Sequence, residues 1–336
     1  MDGYSGQRTA LQVNTMKLVP YSNDHEDEWQ NFARQHNSLY HDIRWKTVIE
    51  ESYGLKSAYF SIFSHEKLTG LLPAFQTKKD TLFSLPYMPF SGFLQDSSND
   101  FPDNFNEMGI NTLIIKQKTS NPATENEYVT MIKQLGKSKD DTFQNFHHKH
   151  RNMIRRAEEQ PFSLKQATVN EFYPIYRKAT NALGTPAHNK RFFERIEHYF
   201  KNEIQILNLF LEEKAIGTIL EMDYGNTRYD LWAFSLKQYL KYKPNVFLYW
   251  ERLKDAINVG QEYYDFGRSV INSGTYNFKK KWGAEPVKLV YKKYDLSSTK
   301  VEDIPPQTGS LLPKIWAKLP AFVANPLGPI IRKHVY

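Results

Sequence analysis

The chain has 336 residues, 40% of them hydrophobic and 15% aromatic, so it is long enough for roughly two domains with sizeable cores. It contains no cysteine, which excludes disulfides, cysteine-ligated zinc and a catalytic thiol. Its formal net charge of +7 favours an anionic partner such as a phosphate-bearing substrate, RNA or an acidic membrane surface. No apolar run reaches the ~18 residues of a membrane-spanning helix. The N-terminus lacks a signal-peptide pattern, so we expect a cytoplasmic protein.

The first half of the chain reads as strand, helix, helix, hairpin and strand, and the second half repeats this order. The segment 44–50 aligns with 191–197, and the segment 66–70 aligns with 213–217 at the same offset. Two matches at one offset indicate two copies of one fold. The first copy runs into a stretch rich in proline and glycine, 86–102, in place of a clear helix. We therefore expect a degenerate copy that lacks a donor site.

The second half predicts an α+β domain in which helices flank a mostly antiparallel sheet. Period-two alternation predicts its strands, and the 3.6-residue period predicts its helices. The predicted strands are 162–167, 204–211, 215–223, 227–234, 263–266 and 287–294, and the predicted helices are 169–183, 189–201 and 244–260. A basic segment, 147–156, joins the two halves and holds four Lys/Arg, three His and no acid.

The segment 264–286 carries the densest set of candidate catalytic groups. An apolar run ends in Asp265, and Arg268 and Lys279 follow closely. Catalytic groups commonly sit on loops that a rigid element holds in place. We expect Asp265 to act as a base, Arg268 to hold phosphate of the donor and Lys279 to stabilise an oxyanion. The alternatives are a structural ion pair between Asp265 and Arg268, and a solvated lysine-rich surface around Lys279.

A helix predicted to begin at Pro244 offers a donor site, because free amides and the helix dipole stabilise negative charge at a helix N-terminus. Lys241 and Lys243 precede this helix, and we expect both to bind the donor. Asn245 either caps the helix or contacts the donor. Tyr249, one turn further on, either protonates a leaving group or packs in the core. The alternative for the whole segment is a solvated loop before an ordinary helix.

The pattern FGRS-x-x-x-SGTY-x-FKK-x-WGAEP, from Phe266 to Pro286, resembles the C-terminal signature of FemAB-related proteins, a branch of the GNAT-like acyltransferases. It is most similar to the members that accompany exosortase (PEP-CTERM) and exopolysaccharide gene clusters. Lys279 matches the lysine of the FK-x-x-(W/F)G motif of the wider family. One departure is the segment 238–242, which lacks the glycines of the usual acetyl-CoA loop.

The internal repeat and the resemblance together predict tandem GNAT-like domains. We expect a degenerate N-terminal domain over 1–140, an acyltransferase domain over 141–300 and a basic amphipathic tail over 301–336. The resemblance implies acyl-CoA or aminoacyl-tRNA as the cosubstrate, with no permanently bound cofactor.

His188 follows a Gly-Thr-Pro turn, and we expect it to contact the acceptor. Tyr276 and Trp282 are expected to wall the acceptor cleft, with the core as the alternative for both rings. No zinc-ligand spacing fits the histidines at positions 147, 148, 150 and 188, so we predict no metal site.

The tail from 304 to 336 holds four Lys/Arg and no Asp or Glu. Apolar residues recur at helical spacing from Leu311 to Leu319, and Lys314 and Lys318 lie opposite them. A basic amphipathic helix of this kind either rests on an anionic membrane or packs across the domains.

These features predict an N-acyltransferase or aminoacyltransferase that moves a group from an activated thioester or tRNA ester to an amine. The resemblance implies an amino sugar or peptide amine on an envelope or exopolysaccharide precursor as the acceptor. We expect direct attack on the carbonyl without an enzyme-bound intermediate. Two non-catalytic alternatives remain, an RNA- or tRNA-binding module and a membrane-associated scaffold of polysaccharide export.

Overall fold

The structure is a computed structural model that describes residues 16–96, 109–125, 127–298, 300–306 and 311–335. The first half begins with a short strand and two helices and continues as a series of strands. These elements are β1 (Lys17–Pro20), α1 (Glu26–Gln35), α2 (Arg44–Tyr53), β2 (Lys56–Ser57), β3 (Phe60–Ser64), β4 (Lys67–Leu72), β5 (Ala74–Lys78), β6 (Thr81–Ser84), β7 (Leu94–Gln95), β8 (Thr112–Lys118) and β9 (Tyr128–Gln134).

The second half alternates helices with longer strands and ends in two tail helices. These elements are α3 (Lys139–Gln144), α4 (His148–Glu158), β10 (Phe162–Gln166), α5 (Val169–Ala182), α6 (Lys190–Tyr199), β11 (Ile204–Leu211), β12 (Lys214–Tyr224), β13 (Thr227–Ser235), α7 (Pro244–Asn258), β14 (Tyr263–Val270), α8 (Gly274–Lys280), β15 (Glu285–Asp295), β16 (Lys300–Asp303), α9 (Leu312–Trp316) and α10 (Ala321–Arg332).

Among the described residues, one twelve-stranded sheet runs through both halves of the chain. Its order is β10-β11-β12-β13-β14-β9-β15-β8-β6-β5-β2, and β16 pairs with β15 at its side. A separate four-stranded sheet has the order β1-β3-β4-β7. Strand β9 of the first half lies between β14 and β15, and β15 in turn pairs with β8. The halves thus exchange strands, and the sheet is continuous across the boundary expected near residue 140.

The sheet opens between two of its parallel strands. Strands β13 and β14 pair over only three residues, Thr227–Tyr229 against Tyr263–Asp265, although both strands continue further. Beyond that point β14 pairs with β9, with a register shift between Asp265 and Arg268. The two strands therefore part after this short pairing, and Asp230 is the first residue of β13 that borders the opening. We call this place the strand split.

Helices cover both faces of the sheet and bury a separate apolar core on each. On the first face, α1, α2, α5 and α6 pack over residues that include Tyr229. On the second face, α4, α7 and α8 pack over residues that include Tyr264 and Phe266. Because side chains alternate along a strand, Asp265 points to the first face. The strand split thus connects two surfaces of different composition.

The predicted α+β fold class is confirmed, as are the strands and helices predicted for the second half. The repeat is visible as two matching units, since α2 with the β3–β4 hairpin corresponds to α6 with the β11–β12 hairpin. The segment after Asn272, for which the sequence predicted no helix, forms α8. The Ser273 hydroxyl accepts a hydrogen bond from the backbone N–H of Tyr276, which caps this helix at its N-terminus.

The tail packs against α5 and the turn that follows it. Trp316 Nε1 donates to Asn181 Oδ1 over 3.3 Å, and the backbone of Gly328 lies against Ala187. Gly184 has a φ of +80°, and a Cβ there would lie 2.2 Å from the carbonyl oxygen of Pro313. The tail therefore packs against the rest of the chain, which was one of the two alternatives; the other was contact with an anionic membrane.

Candidate active site at the strand split

A hydrogen-bonded acid pair lies at the second face of the strand split. Asp230 borders the split on β13, and Tyr249 lies on the second turn of α7. The Tyr249 hydroxyl donates to Asp230 Oδ2 over 2.6 Å. The Tyr249 ring packs against Phe266 and Phe278, so the phenol is held in one position. The ring of Tyr249 thus packs in the core, as one alternative held, and its hydroxyl reaches the split.

Asp265 lies on the other side of the split and is 1% exposed. Its Oδ1 accepts hydrogen bonds from the Thr130 hydroxyl at 2.5 Å and from the Gly267 backbone N–H at 2.8 Å. Its Oδ2 has no hydrogen-bond partner among the described residues. A buried carboxylate oxygen without a donor is costly unless a ligand completes it. Asp265 therefore offers one free acceptor at the split.

Lys279 reaches the split from α8. Its Nζ donates to the backbone carbonyl oxygens of Gly267 and Arg268, both over 3.0 Å. An ammonium group has three N–H donors, so one remains for a further acceptor. The side chain is buried, which disagrees with the solvated surface that was its alternative. Lys280, the next residue, is exposed.

The electrostatics of the split bring two groups into the neutral pH range. Burial raises the pKa of Asp230 to about 7, although the Tyr249 hydrogen bond and Lys279 oppose this shift. Burial lowers the pKa of Lys279 to about 8, against the attraction of Asp230 and Asp265. Perturbed pKa values in a cleft are typical of catalytic acids and bases. The split thus holds a carboxyl that can exchange a proton near neutral pH beside a cationic donor.

A basic groove opens on the second face, beside the N-terminus of α7. Its volume is about 540 Å³. It is lined by Lys149, Asn152, Met153, Arg156, Ala157, Gln160, Lys241, Tyr242 and Lys243. The four cations come from two segments that are far apart in sequence, α4 and the turn before α7. The structure therefore brings the predicted basic segment together with Lys241 and Lys243.

No side chain caps α7 in the described chain, because Lys243 occupies the cap position with a φ of 62° and makes no side-chain cap bond. Asn245, the other residue expected at this site, accepts a hydrogen bond from the Ser235 hydroxyl over 2.6 Å. It fastens α7 to the end of β13 and does not cap the helix. Pro244 has no N–H, and the Val246 N–H donates to the Lys243 carbonyl oxygen over 3.0 Å, so only part of the first turn of α7 is open to solvent or to a ligand.

A cationic cleft lies on the first face. We define it by four side chains, which are Lys116, Lys118, Arg268 and Arg332. None of the ion pairs among the described residues involves any of the four. Burial, with repulsion from Arg268 and Arg332, lowers the pKa of Lys116 well below its usual value. An anion bound among these groups would relieve that repulsion.

Three consecutive residues of the loop after β6 hold this cleft together. The Tyr87 hydroxyl donates to the carbonyl oxygen of Lys333, beside Arg332, over 2.9 Å. The Met88 carbonyl oxygen accepts from Lys116 Nζ at 2.7 Å. The Pro89 carbonyl oxygen accepts from the hydroxyl of Tyr291 at 2.9 Å, and this hydroxyl accepts from Arg268 Nη1 at 2.8 Å. Neighbouring Cα atoms are ~3.8 Å apart, so these contacts converge on one small region.

The remaining groups of the cleft connect it to the split. Lys118 and Arg268 are solvent-exposed, yet burial by surrounding protein lowers the pKa of Lys118. The Asp265 carboxylate counteracts the pKa shift of Lys118, which places that charge near the cleft. The cationic cleft and Asp265 therefore belong to the same face of the site.

The expectation that Arg268 binds the donor is not supported by its position. The register shift in β14 turns Arg268 toward the first face, where its guanidinium lies 4.7 Å above the ring of Tyr128. The basic groove lies on the second face. The alternative of an ion pair with Asp265 is also wrong for these two described residues, since Asp265 bonds Thr130 and Gly267 while Arg268 bonds Tyr291.

His188 is buried and does not line an open surface. Its Nε2 accepts a hydrogen bond from Arg332 Nε over 3.1 Å, and its Nδ1 bonds the hydroxyl of Tyr53. Burial lowers the pKa of His188 well below its usual value, so the ring is neutral and can accept from the guanidinium. His188 thus acts on the cleft indirectly, by holding Arg332.

Trp282 and Tyr276 lie in the core of the second face, which does not fit the acceptor role expected for them. Trp282 is 0% exposed and packs edge-on against Phe146 and His150. Tyr276 is buried in the same cluster. The cause is α8, which turns these two rings inward on the face that carries Lys279. The alternative of core packing describes both rings.

Sequence reasoning missed Asp230 and the residues of the cleft other than Arg268. Asp230 could have been noticed as an acid inside an apolar strand, predicted to lie next to the strand of Asp265. Arg332 and the adjacent Lys333 come at the end of an apolar run. Nothing in the sequence indicated that this tail residue joins Lys116 and Lys118, because the contact depends on tertiary packing.

Two further observations concern metals and membranes. No group of three or more His, Asp or Glu is placed to hold a metal ion within the described ranges. No helix in the part of the chain that the structure describes is long and apolar enough to span a bilayer.

The chain resembles known proteins in one region by sequence and over most of its length by structure. Residues 144–280 match the family described as acetyltransferase (GNAT) domain. The structure is similar to that of FemX, with a TM-score of 0.61 and 14% identity, covering 81% of this chain and 95% of FemX. No curated protein matches the chain in sequence.

Two other solved structures share the fold. A tandem GNAT protein from the clavulanic acid biosynthesis pathway, solved without AcCoA, has a TM-score of 0.52 and 9% identity, covering 84% of this chain and 98% of that one. A conserved protein of unknown function from Bacteroides thetaiotaomicron VPI-5482 has a TM-score of 0.51 and 10% identity, covering 82% and 98%. At such identities the likeness concerns the fold alone. Residues 144–280 therefore resemble a GNAT domain, and the chain shares the fold of FemX, which is consistent with its resemblance to FemAB-related proteins.

Proposed function

We propose that this protein transfers an acyl group from acyl-CoA to a primary amine on an anionic acceptor, at the strand split. The observation that carries the proposal is one constellation at the split, with an anion-binding surface on each side of it. Its members are Asp230, Tyr249, Asp265 and Lys279. The basic groove suits the phosphates of a donor, and the cationic cleft suits an anionic acceptor.

Acyl-CoA is the preferred donor because residues 144–280 match a GNAT domain. The basic groove supports the same choice, since its four cations beside the N-terminus of α7 suit the phosphates of a nucleotide donor. The glycine-free turn before α7 replaces the usual loop, and its lysines supply charge where backbone amides would. Aminoacyl-tRNA is the second donor, favoured by the basic surface of α4 alone.

The transfer proceeds by direct attack of the amine nitrogen on the thioester carbonyl carbon. A C–N bond forms and the C–S bond breaks. The free oxygen of Asp265 accepts a proton from the attacking amine, which would otherwise be expelled. When Asp230 is protonated, the hydrogen bond to Tyr249 reverses: the carboxyl donates to the phenol oxygen, and the phenol O–H is free to deliver its proton to the leaving sulfur. Asp230 then reprotonates Tyr249, and its raised pKa keeps the carboxyl partly protonated at neutral pH. The two carboxyls thus have opposite roles, one on each side of the split.

Lys279 stabilises the negative charge that develops on the carbonyl oxygen. Two of its donors are fixed on backbone carbonyl oxygens, which leaves the third oriented by the protein before the reaction begins. A preorganised donor of this kind acts without reorganisation in the transition state. Lys279 therefore serves as the oxyanion donor.

The acceptor carries a phosphate or a comparable anion, which the cationic cleft would bind beside Asp265. Two guanidinium groups without carboxylate partners match the geometry of phosphate oxygens. The resemblance to FemAB-related proteins makes an amino sugar or peptide amine of an envelope or exopolysaccharide precursor our choice of acceptor.

Donor binding can be tested by thermal unfolding of the purified protein with a panel of acyl-CoAs, deacylated tRNA and aminoacyl-tRNA. A ligand at 100 times its dissociation constant adds about 2.7 kcal/mol, a shift of several degrees. We expect a shift with acyl-CoA that Lys241→Gln combined with Lys243→Gln removes, while Lys67→Gln, at an exposed site in the first half, leaves it unchanged.

A shift with tRNA alone would contradict the CoA donor. If the tRNA was aminoacylated, transfer to an added amine would then separate aminoacyl transfer from a binding module. For acyl-CoA, release of free thiol that depends on the amine is the matching activity assay. Thiol release that is independent of any amine would contradict acyl transfer to an amine.

A further inference from the structure

Helix α10 buries small residues and exposes large apolar ones, which is the reverse of an ordinary surface helix. Its small residues, Ala324 and Gly328, face the protein, and Gly328 lies against Ala187. Its large apolar residues face solvent, with Phe322 81% exposed and Ile330 62% exposed. A helix that only stabilises a fold buries its large side chains. The large side chains on the outward face of α10 therefore add little to the core of this chain.

The segment around α9 shows the same arrangement. Leu312 is 74% exposed, and Leu311 and Ile315 are also exposed, while Trp316 is buried and anchored to Asn181. More than half of the exposed large hydrophobic side chains of the described chain lie between 311 and 335. We define the tail face as Leu311, Leu312, Ile315, Phe322 and Ile330. A concentration of exposed large apolar side chains of this kind is typical of an interaction site.

The positive charge around the tail face favours an anionic partner. Lys314 and Lys318 are exposed beside it, and the segment 304–336 holds four Lys/Arg and no acid. A second copy of this chain would bring the same cations against one another, because a two-fold interface is self-complementary. An anionic surface with an apolar interior offers partners to both the lysines and the apolar side chains.

We propose that the tail face docks on an anionic phospholipid membrane, with its apolar side chains inserted at the level of the headgroups. The lysines then lie against lipid phosphates. The C-terminal end of α10 carries Arg332, a member of the cationic cleft, so docking holds that cleft near the membrane surface. Docking itself does not rest on the proposed acyl transfer and can be measured in its absence.

The test is co-sedimentation of the full chain with vesicles of phosphatidylcholine, with or without phosphatidylglycerol. We expect binding to the mixed vesicles that declines with salt, and weak binding to phosphatidylcholine alone. Phe322→Ser combined with Ile330→Ser should lower the partition coefficient at least about tenfold. Lys314→Gln combined with Lys318→Gln should lower it about fivefold per lysine on anionic vesicles only. These residues are exposed, so the variants should fold.

The matched control is Val259→Ser, which removes an exposed apolar side chain beyond the end of α7. It should leave the partition coefficient unchanged. Binding of the wild type that the tail variants do not weaken would overturn the proposal. The proposal would also be overturned if the wild type does not bind vesicles but self-associates, as measured by light scattering, and if the Phe322 and Ile330 substitutions dissociate that assembly. That result would make the tail face an interface between copies.

Discussion

The Tyr249 hydroxyl donates a 2.6 Å hydrogen bond to Asp230, and this contact joins α7 to β13 beside the strand split. The pair is buried, and burial raises the pKa of Asp230 to about 7. A carboxyl that titrates near neutral pH and is bonded to a phenol can pass a proton along a fixed line. The acid half of the proposed reaction depends on this relationship.

The first prediction concerns pH. Because the proposed acid is the protonated form of Asp230, its contribution is full well below pH 7 and is lost as pH rises through its pKa. The ratio of wild-type kcat to that of Asp230→Asn should fall about tenfold for each pH unit above about 7. Using the ratio cancels the ionisation of the acceptor amine. A ratio that rises with pH would show that Asp230 acts as a base.

The second prediction concerns the oxyanion donor. Lys279→Ala should lower kcat roughly 10²–10³-fold, the scale for loss of one preorganised donor. Lys280→Ala, which removes an exposed lysine one position away, should leave kcat unchanged. Since Lys279 also bonds two backbone carbonyl oxygens, the unfolding midpoint of each variant is measured first. Equal loss of activity in both variants would contradict a specific role for Lys279.

The third prediction concerns the cationic cleft. Arg332→Gln should raise KM for an anionic acceptor while KM for the donor stays the same, because Arg332 lies on the acceptor side of the split. Lys333→Gln, the neighbouring residue, serves as the control. Inorganic phosphate should compete with the acceptor for the wild type and much less for Arg332→Gln. Competition with the donor instead would place the phosphate in the basic groove and contradict the assignment.

The fourth prediction concerns the buried ion pair that holds α7 against β12 and its contribution to the free energy of unfolding. Glu221 is fully buried, and its Oε2 lies 2.6 Å from Arg252 Nε, which fastens α7 to β12. Glu221→Ala should lower the free energy of unfolding by roughly 3–5 kcal/mol, because it leaves a buried guanidinium with too few partners. Glu302→Ala, in a solvent-exposed ion pair, should cause no measurable change. Similar urea midpoints for the two variants would contradict this role of Glu221.

The elements of the second half were predictable because their signals are local. Alternation in Ile204–Leu211 and a proline at the first position of α7 depend only on neighbouring residues. The tandem arrangement also followed from two short matches at one offset. The exchange of β9 and β15 between the halves could not be predicted, since strand order depends on long-range pairing.

The candidate site was predictable in part. Asp265 and Lys279 were singled out because they belong to a dense polar segment that begins in a strand, and the structure brings both to the split. Arg268 was expected to hold donor phosphate, whereas a register shift in β14 turns it to the first face, away from the basic groove. Trp282 was misjudged because α8 was not predicted. Asp230 reads as an ordinary strand residue until β14 is placed beside it.

The most direct test of the central claim is the single-turnover rate of acyl transfer in Asp265→Asn, with donor and acceptor both saturating. Asparagine keeps an oxygen for Thr130 and Gly267 but removes the free carboxylate oxygen. The account predicts a loss of about 10²–10⁴-fold with unchanged donor affinity, the range for a lost general base. A wild-type rate in a folded Asp265→Asn protein would contradict the strand split as the place where the amine loses its proton.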